Sequence, residues 1–336
     1  MHYLCAMSKM KDFRSEMNKL GQQGVPFLFI IDFLSLEPYV IPLKDISTEE
    51  ILFQIDEIRN FECSKNDQDE EIIFSAVPVS KGRYQKAFQK VMQHLQRGDS
   101  YLLNLTMPVK LNTNQSLEQL FHQSSARYKL WFKDRFVVFS PETFVRIDEN
   151  RIIHAHPMKG TIDATIPEAA QKLLNDEKEL AEHYTIVDLL RNDLSMVAEK
   201  VRVDRFRYIE EIRSKAGRIL QTSSHISGKL PSDYADRIGD IITKLMPAGS
   251  ISGAPKKKTV EIILEAEGYE RGFYTGIFGV FDGVTLNSAV MIRFVEQTPD
   301  GLIFKAGGGI TVNSKCEDEY AELMQKVYLP VKQNNT

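Results

Sequence analysis

The sequence of 336 residues is short of several things, and each shortage closes off a class of function. Cysteine occurs three times, at Cys5, Cys63 and Cys316, widely spaced and without a histidine cluster beside it. That pattern makes neither a disulfide framework nor a zinc site, so reduced thiols and a cytoplasmic setting are expected. Tryptophan occurs once, at Trp131. No apolar run approaches the roughly 20 residues that span a bilayer, and the first eleven residues hold no apolar signal core. The formal net charge is only −4, which gives no reason to expect nucleic acid or an anionic membrane as partner. Neither a short internal repeat nor a strict strand–helix alternation runs through the chain. What is there is ordinary for a globular protein: 43% hydrophobic and 26% charged residues, enough for one large core or two domains.

The pattern alternates runs of strands with single helices. Residues 26–33 and 38–42 read as two strands around a short turn, residues 48–60 as a helix, and the polar stretch 62–70 as a mobile loop. A strand over 72–79 leads to Ser80, which can cap a helix whose Tyr84, Phe88, Val91, Met92 and Leu95 keep helical spacing until Gly98 ends it. Strands are expected at 100–107, 128–132, 135–139, 143–147 and 151–155. Asp176 caps the next helix, with Glu179 completing a capping box. Strands follow at 201–208 and 218–230, then a helix at 232–245 and a Gly/Ser-rich loop. Pro255 is placed to open a helix that reaches Glu267. Residues 274–281 and 285–295 read as a hairpin, with Asp282-Gly283 as a type I′ turn. A last strand at 302–305 runs into an Ala306-Gly-Gly-Gly309 turn, and Ser314 with Glu317 forms a second capping box. This distribution predicts an α+β protein with large antiparallel sheets.

The chemistry concentrates in 154–193. Lys159 stands between Pro157, which cannot donate to a ladder, and Gly160, which frees the backbone; it is therefore expected at a strand end. Such a lysine is more often solvated. Glu179 and Glu182, three apart, share a helix face, ordinarily a wet one. The last helix repeats the spacing with Glu319 and Glu322, Lys326 falling on the same face. Four carboxylates that converged would need a cation, and an all-oxygen set suits Mg²⁺. The triple glycine offers backbone N–H groups to an anion or is a plain loop. Arg293 is placed to grip a carboxylate in a forked manner or to make an ordinary ion pair, and Tyr274 to add a hydroxyl or simply to fill the core. Glu142, between two strands, is a candidate general acid, and Lys159 a candidate nucleophile.

Eight motifs in order carry a resemblance over residues 75–330: Gly98-Asp-Ser-Tyr101, Ser140-Pro-Glu142, Lys159-Gly-Thr161, Glu179-Leu-Ala-Glu-His183, Val187-Asp-Leu-Leu-Arg-Asn-Asp193, Gly249-Ser-Ile-Ser-Gly-Ala-Pro-Lys256, Ala306-Gly-Gly-Gly-Ile310 and Glu319-Tyr-Ala-Glu322. The chain resembles the chorismate-utilising enzymes. The resemblance implies two large, mainly antiparallel sheets packed face to face with helices outside, a catalytic domain over 71–331, and a shortened N-terminal region over 1–70 packed on it. It also implies Mg²⁺ on Glu182 and Glu322, with Glu179 and Glu319 assisting. Arg293, Tyr274 and the Gly308 and Gly309 amides would hold the pyruvyl carboxylate, with Gly307, Thr161, Ser252 and Lys326 also at the substrate.

Pro157-Met-Lys-Gly-Thr161 looks like the aminodeoxychorismate synthase branch, not the anthranilate synthases, which have alanine at the lysine. By that likeness Lys159 attacks the chorismate ring as the 4-hydroxyl leaves, Glu142 protonates the leaving oxygen, and ammonia displaces the lysine. The product is 4-amino-4-deoxychorismate, on the way to 4-aminobenzoate and folate. The ammonia would come from a separate glutaminase subunit, since no Cys-His-Glu amidotransferase module is present. Anthranilate synthase component I and a non-catalytic chorismate-binding relative are the other readings. Three departures stand out: Leu102 replaces a water-activating lysine of the isochorismate and salicylate synthases, Gln221 stands where the family has a histidine, and no tryptophan-pocket motif is found.

Overall fold

The computed structural model describes residues 2–62, 72–214 and 217–329; the polar stretch read as a mobile loop falls almost wholly on 63–71, outside the described residues, as does Cys63. Helix α1 (His2–Gln22) precedes strands β1 (Phe27–Ile31), β2 (Tyr39–Pro42), β3 (Ile51–Ile55), β4 (Ile58–Arg59) and β5 (Phe74–Val77). Helix α2 (Lys81–Gln96), β6 (Leu102–Thr113) and α3 (Leu117–Gln123) follow, then β7 (Tyr128–Phe132), β8 (Phe136–Ser140), β9 (Thr143–Ile147), β10 (Ile152–Ala155) and β11 (Met158–Asp163). After α4 (Ala169–Asn175) and α5 (Glu177–Ser195) come β12 (Glu199–Ser214) and β13 (Gly217–Lys229). Helices α6 (Ile238–Leu245) and α7 (Gly249–Ser252), the short β14 (Gly253–Ala254) and α8 (Lys256–Glu267) lead to β15 (Ile277–Phe281), β16 (Leu286–Val290), β17 (Phe294–Thr298), β18 (Gly301–Ile310) and α9 (Cys316–Gln325).

The strands form two nine-stranded sheets. The first runs β11-β13-β10-β9-β16-β15-β1-β2 with β12 beside β13; the second runs β14-β6-β18-β17-β8-β7-β3-β4 with β5 beside β6. The pairs recorded in both are antiparallel. The segment before residue 60 thus gives strands to both sheets. Each sheet buries both faces, which is why β1 reads Phe-Leu-Phe-Ile-Ile with every residue buried rather than alternating with polar positions. Alternate residues of β1 divide between two cores: Leu28 and Ile30 face the other sheet, while Phe27, Phe29 and Ile31 face α1, α5 and α6. Between the sheets, the Phe136 ring stacks on Phe273 and Phe294 with centroids 5.0 Å apart in each case. A third core lies outside the second sheet under α2, α3, α8 and α9. The two packed sheets flanked by helices are the α+β architecture expected.

Five local expectations fail for physical reasons. Residues 48–60 form no helix: Ile51–Ile55 is a buried strand paired with β7, and a five-residue apolar run looks alike in a strand and a buried helix. Asp56, at φ 52°, turns the chain, and the Asn60 side chain closes the hairpin onto Phe53 N–H and Ile51 C=O. Residues 285–295 are two strands in different sheets, β16 and β17, because the chain crosses between sheets at 291–293. The 282–285 turn is not type I′, since Gly283 alone of its two central residues has a positive φ. The glycine triplet is no turn but the end of β18, paired through Ile310 with β6. The two capping boxes are incomplete. Asp176 accepts from Glu179 N–H at 2.9 Å as expected, but Ser314 caps nothing and donates to the Glu319 carboxylate at 2.7 Å. Pro255 occupies the cap position one residue before α8.

Candidate active site

The site forms where β18 outruns its neighbour. Strand β17 accompanies β18 only as far as Lys305, because Arg293, just before β17, already belongs to the crossing between sheets. From Ala306 to Ile310 one edge of β18 is held by β6 and the other is open. Glycine is required for space at Gly307, and at Gly308 and Gly309 it leaves the edge free for the lysine side chains that approach it. A Cβ at Gly307 would lie 2.4 Å from Leu105 C=O, one at Gly308 would lie 3.4 Å from Lys326 Nζ, and one at Gly309 would lie 3.1 Å from Lys159 Nζ.

Lys159 arrives from the other sheet. It is the second residue of β11, opposite Thr222 of β13, and the ladder bulges between Lys159 and Thr161. Gly160 makes the bulge with φ +64°, and a side chain there would press on the Glu179 carboxylate. The Thr222 hydroxyl donates to Lys159 C=O and holds the bulge. Lys159 Nζ is 3.5 Å from Glu182 Oε2. Thr161, past the bulge, is exposed and opposite Gln221.

Helices α5 and α9 bring their glutamates to the same place. Lys178 Nζ lies 3.9 Å from Glu182 and 3.4 Å from Glu319, so one ammonium touches a carboxylate from each helix. Lys326 pairs with Glu322 at 2.6 Å and donates to Gly307 C=O at 3.2 Å. Burial raises the Glu179 carboxyl above its ordinary value, and the neighbouring Glu182 adds to the rise. Burial likewise raises Glu319, with Glu322 adding to it against the hydrogen bond from Ser314. At Glu322 the burial effect is outweighed by Lys326, and the carboxyl is lowered.

Glu142 sits in the β8–β9 turn, its N–H donating to Ser140 Oγ at 3.0 Å and its C=O accepting from Val290 N–H. Burial pushes its carboxyl up; a hydrogen bond from the Ser250 hydroxyl and the charges of Lys159, Arg293 and Lys326 oppose that rise. Arg293 has φ +54°, and its buried Nε has no hydrogen-bond partner among the described residues. Its guanidinium carbon is 4.9 Å from the Tyr328 ring centroid. Tyr274 is buried next to it, its phenol pushed up by desolvation. The Ser252 hydroxyl is fully buried and donates to Ala248 C=O at 2.9 Å, which spends its proton within its own turn. Leu102 is buried with its methyl 3.2 Å from where a Gly309 Cβ would be, so an apolar wall stands beside Lys159.

The expected residues thus converge, with Thr161 exposed beyond the bulge and the Ser252 hydroxyl bonded to its own backbone. Sequence reasoning missed Lys178, Ser250 and Ser314. Lys178 carries a legible signal: a cation in the first turn of a helix opposes the helix dipole, so something else must hold it there. It also missed that Asp193 and Lys256, from two of the motifs, form a buried ion pair at 2.7 Å, which ties the end of α5 to the start of α8. Among the described residues no three His, Cys, Asp or Glu side chains are arranged as a metal cage. A hard cation that keeps most of its water needs only one or two carboxylates, however, and Glu182 and Glu319 already share one cation. Such oxygen donors suit Mg²⁺; Glu182 and Glu319 are the pair one cation already touches, whereas Glu322, expected as a ligand beside Glu182, is paired with Lys326.

A family model described as chorismate binding enzyme matches residues 43–332. An uncharacterized PabA-like protein of Haemophilus influenzae is 52% identical over 97% of this chain and 98% of its own length. Anthranilate synthase component 1 of Archaeoglobus fulgidus is 33% identical over 74% of the chain and 61% of its own length. Aminodeoxychorismate synthase component 1 of Bacillus subtilis is 31% identical over 75% of the chain and 56% of its own length. The chain therefore spans about three-fifths of the length of these two named synthases. A 2,3-dihydroxybenzoate-specific isochorismate synthase structure from Bacillus anthracis superposes with a TM-score of 0.69 at 20% identity, covering 96% of this chain and 87% of that one. No helix among the described residues is long and apolar enough to cross a membrane.

Proposed function

Because the chain belongs to the chorismate binding enzyme family, we propose that it is an aminodeoxychorismate synthase component I, which replaces the 4-hydroxyl of chorismate with an amino group supplied as ammonia. The observation that carries this reading is Lys159, whose Nζ stands against the open glycine edge of β18, within the electrostatic reach of Glu142. In this reading the open edge and Arg293 take the substrate's pyruvyl carboxylate, since the orphaned Arg293 Nε needs an acceptor and a carboxylate satisfies it twice over.

Having first given up its ammonium proton, Lys159 attacks the ring while Glu142 gives its own proton to the departing 4-hydroxyl, which leaves as water. Ammonia then displaces the lysine, which leaves as a neutral amine, and the product ammonium returns one proton to the Glu142 carboxylate. Glu142 suits the acid role because burial keeps its proton on. Mg²⁺ held by Glu182 and Glu319 would neutralise the substrate's ring carboxylate. Leu102 excludes a water-activating base from the wall beside Lys159. The ammonia would come from a separate glutaminase, and the product would feed 4-aminobenzoate and folate synthesis.

The alternative, anthranilate synthesis, has the Archaeoglobus relative in its favour. Purified chain with chorismate, Mg²⁺ and ammonium salt separates the two by chromatography and mass. The expected product is 4-amino-4-deoxychorismate, lost in Lys159→Ala. Anthranilate as the product, or an unimpaired alanine variant, defeats the lysine reading. Unchanged chorismate leads to a second incubation with a glutaminase subunit and glutamine, and if that is inert too, a non-catalytic chorismate-binding protein replaces the enzyme.

A further inference from the structure

We infer that Lys178 is an internal counter-ion that bridges α5 to α9 in the metal-free protein and competes with the divalent cation for Glu182 and Glu319. The inference rests on the metal reading given above and adds the chain's own competitor for that position.

Lys178 is badly placed by every local rule. It lies in the first turn of α5, where the exposed N–H groups favour acidic side chains, and the turn's other charged residues are Glu177 and Glu179. It precedes Glu182 by four positions, the less favourable order for a helical ion pair, and the 3.9 Å separation is long. The closer partner is Glu319 at 3.4 Å, on another helix 141 residues away. That carboxylate is nearly inaccessible, at 3% side-chain exposure, and is aimed by Ser314. Lys178 itself remains 45% exposed, so its ammonium can swing into water without disturbing a packed core. Glu319 and Glu182 cannot move as cheaply. A dication entering between them therefore replaces Lys178, not the carboxylates.

The other two lysines of the site do not fill this role. Lys326 is occupied by Glu322 and Gly307 C=O, and Lys159 meets Glu182 at Oε2, whereas Lys178 lies nearest Oε1. Lys178 alone of the three spans α5 and α9 in the recorded ion pairs. Its bridge keeps two acidic helices together when there is no metal, and its departure makes metal binding weaker than the carboxylates would give by themselves.

The test is Mn²⁺ binding to the full chain without chorismate, followed by loss of the free hexaaqua-ion EPR signal and reversed by added Mg²⁺. Lys178→Met keeps the aliphatic stem and removes the charge. It is expected to bind Mn²⁺ about tenfold more tightly than wild type, the order expected when partly exposed competing ion pairs are removed. Its thermal midpoint without metal falls, and Mn²⁺ restores more stability to it than to wild type. Lys178→Arg keeps the charge and stays near wild type, which guards against a general effect of substitution. Equal or weaker Mn²⁺ binding in Lys178→Met overturns the inference and leaves the metal reading standing. Absence of binding at millimolar Mn²⁺ in wild type and variant alike removes the metal reading itself, and the inference with it.

Discussion

Glu142 illustrates how a carboxyl is kept as an acid. Desolvation raises it, while three cationic side chains and one hydroxyl pull the other way, and the rise wins. The neutral acid therefore persists to a pH at which an ordinary carboxyl is ionised; if Glu142 is the acid proposed above, turnover should fall on the alkaline side as it loses its proton. Glu142→Gln should cost roughly 10²–10⁴ in the rate of chorismate consumption. Ser250→Ala should move the alkaline limb upward, because the lost hydrogen bond favoured the ionised form. A pH–rate profile of wild type and the two variants checks both, and an unmoved limb in Ser250→Ala separates Ser250 from the acid. Glu142 and Lys159 were legible in the sequence because each sits beside a chain-breaking proline or glycine. Ser250 was not: it lies in a Gly/Ser-rich loop whose hydroxyls look alike until the fold aims one of them.

At the scale of elements, the site stands on a buried polar junction. Glu267, the last residue of α8, takes both nitrogens of Arg271 at 2.6 and 2.9 Å. It also accepts from Thr106 N–H and hydroxyl of β6, each at 2.8 Å. Arg271 continues to Asn104 C=O at 2.6 Å and Ile251 C=O at 3.3 Å. Helix α8, strand β6 and the α7 turn are thereby locked to one another, and both partners are 1% exposed. Removing one partner strands a buried charge, so Arg271→Met should destabilise the protein by roughly 3–5 kcal/mol in urea unfolding. The double variant Glu267→Met/Arg271→Met should cost clearly less than the sum of the two single changes. Additive costs would mean that the pair is not coupled. The helix containing Glu267 was readable from its spacing, but its partner on β6 is 161 positions away and no local pattern announces it.

For the molecule as a whole, protons decide part of the stability. His154 and His225 share a hydrogen bond at 2.9 Å between β10 and β13, and His156 stacks on His225 with centroids 4.7 Å apart. Burial and the neighbouring histidines and arginines lower His156 to about 4. Burial and Arg207 lower His183 to about 4 as well. A histidine whose folded value lies below its ordinary 6.5 binds its proton more readily when unfolded. Its stabilising share is therefore complete above about pH 6.5 and drains away as the pH falls toward 4. The raised carboxyls of Glu142, Glu179 and Glu319 act in the opposite sense, so the test is a difference. Between pH 7 and pH 5, wild type should lose roughly 1–2 kcal/mol more than His156→Gln in denaturant unfolding. Parallel losses would show that His156 does not titrate differently on folding.

The sequence by itself determined the composition of the layers, the helices with clear caps such as α2, and which side chains were candidates for the site. Those depend on spacing within a few residues, where periodicity and chain-breaking residues act. Only the tertiary structure decided where strands part and which edges stay open. Residues 285–295 are mostly buried, with the polar Thr285, Asn287, Ser288 and Arg293 scattered through them, so no break in the pattern marks the passage from one sheet to the other. That passage leaves β18 unaccompanied after Lys305 and turns an expected glycine loop into an open strand edge facing Lys159. The pairing of Lys178 with Glu319 is likewise a matter of which helices meet, a long-range contact whose reason lies in the packing of two sheets and not in either helix alone.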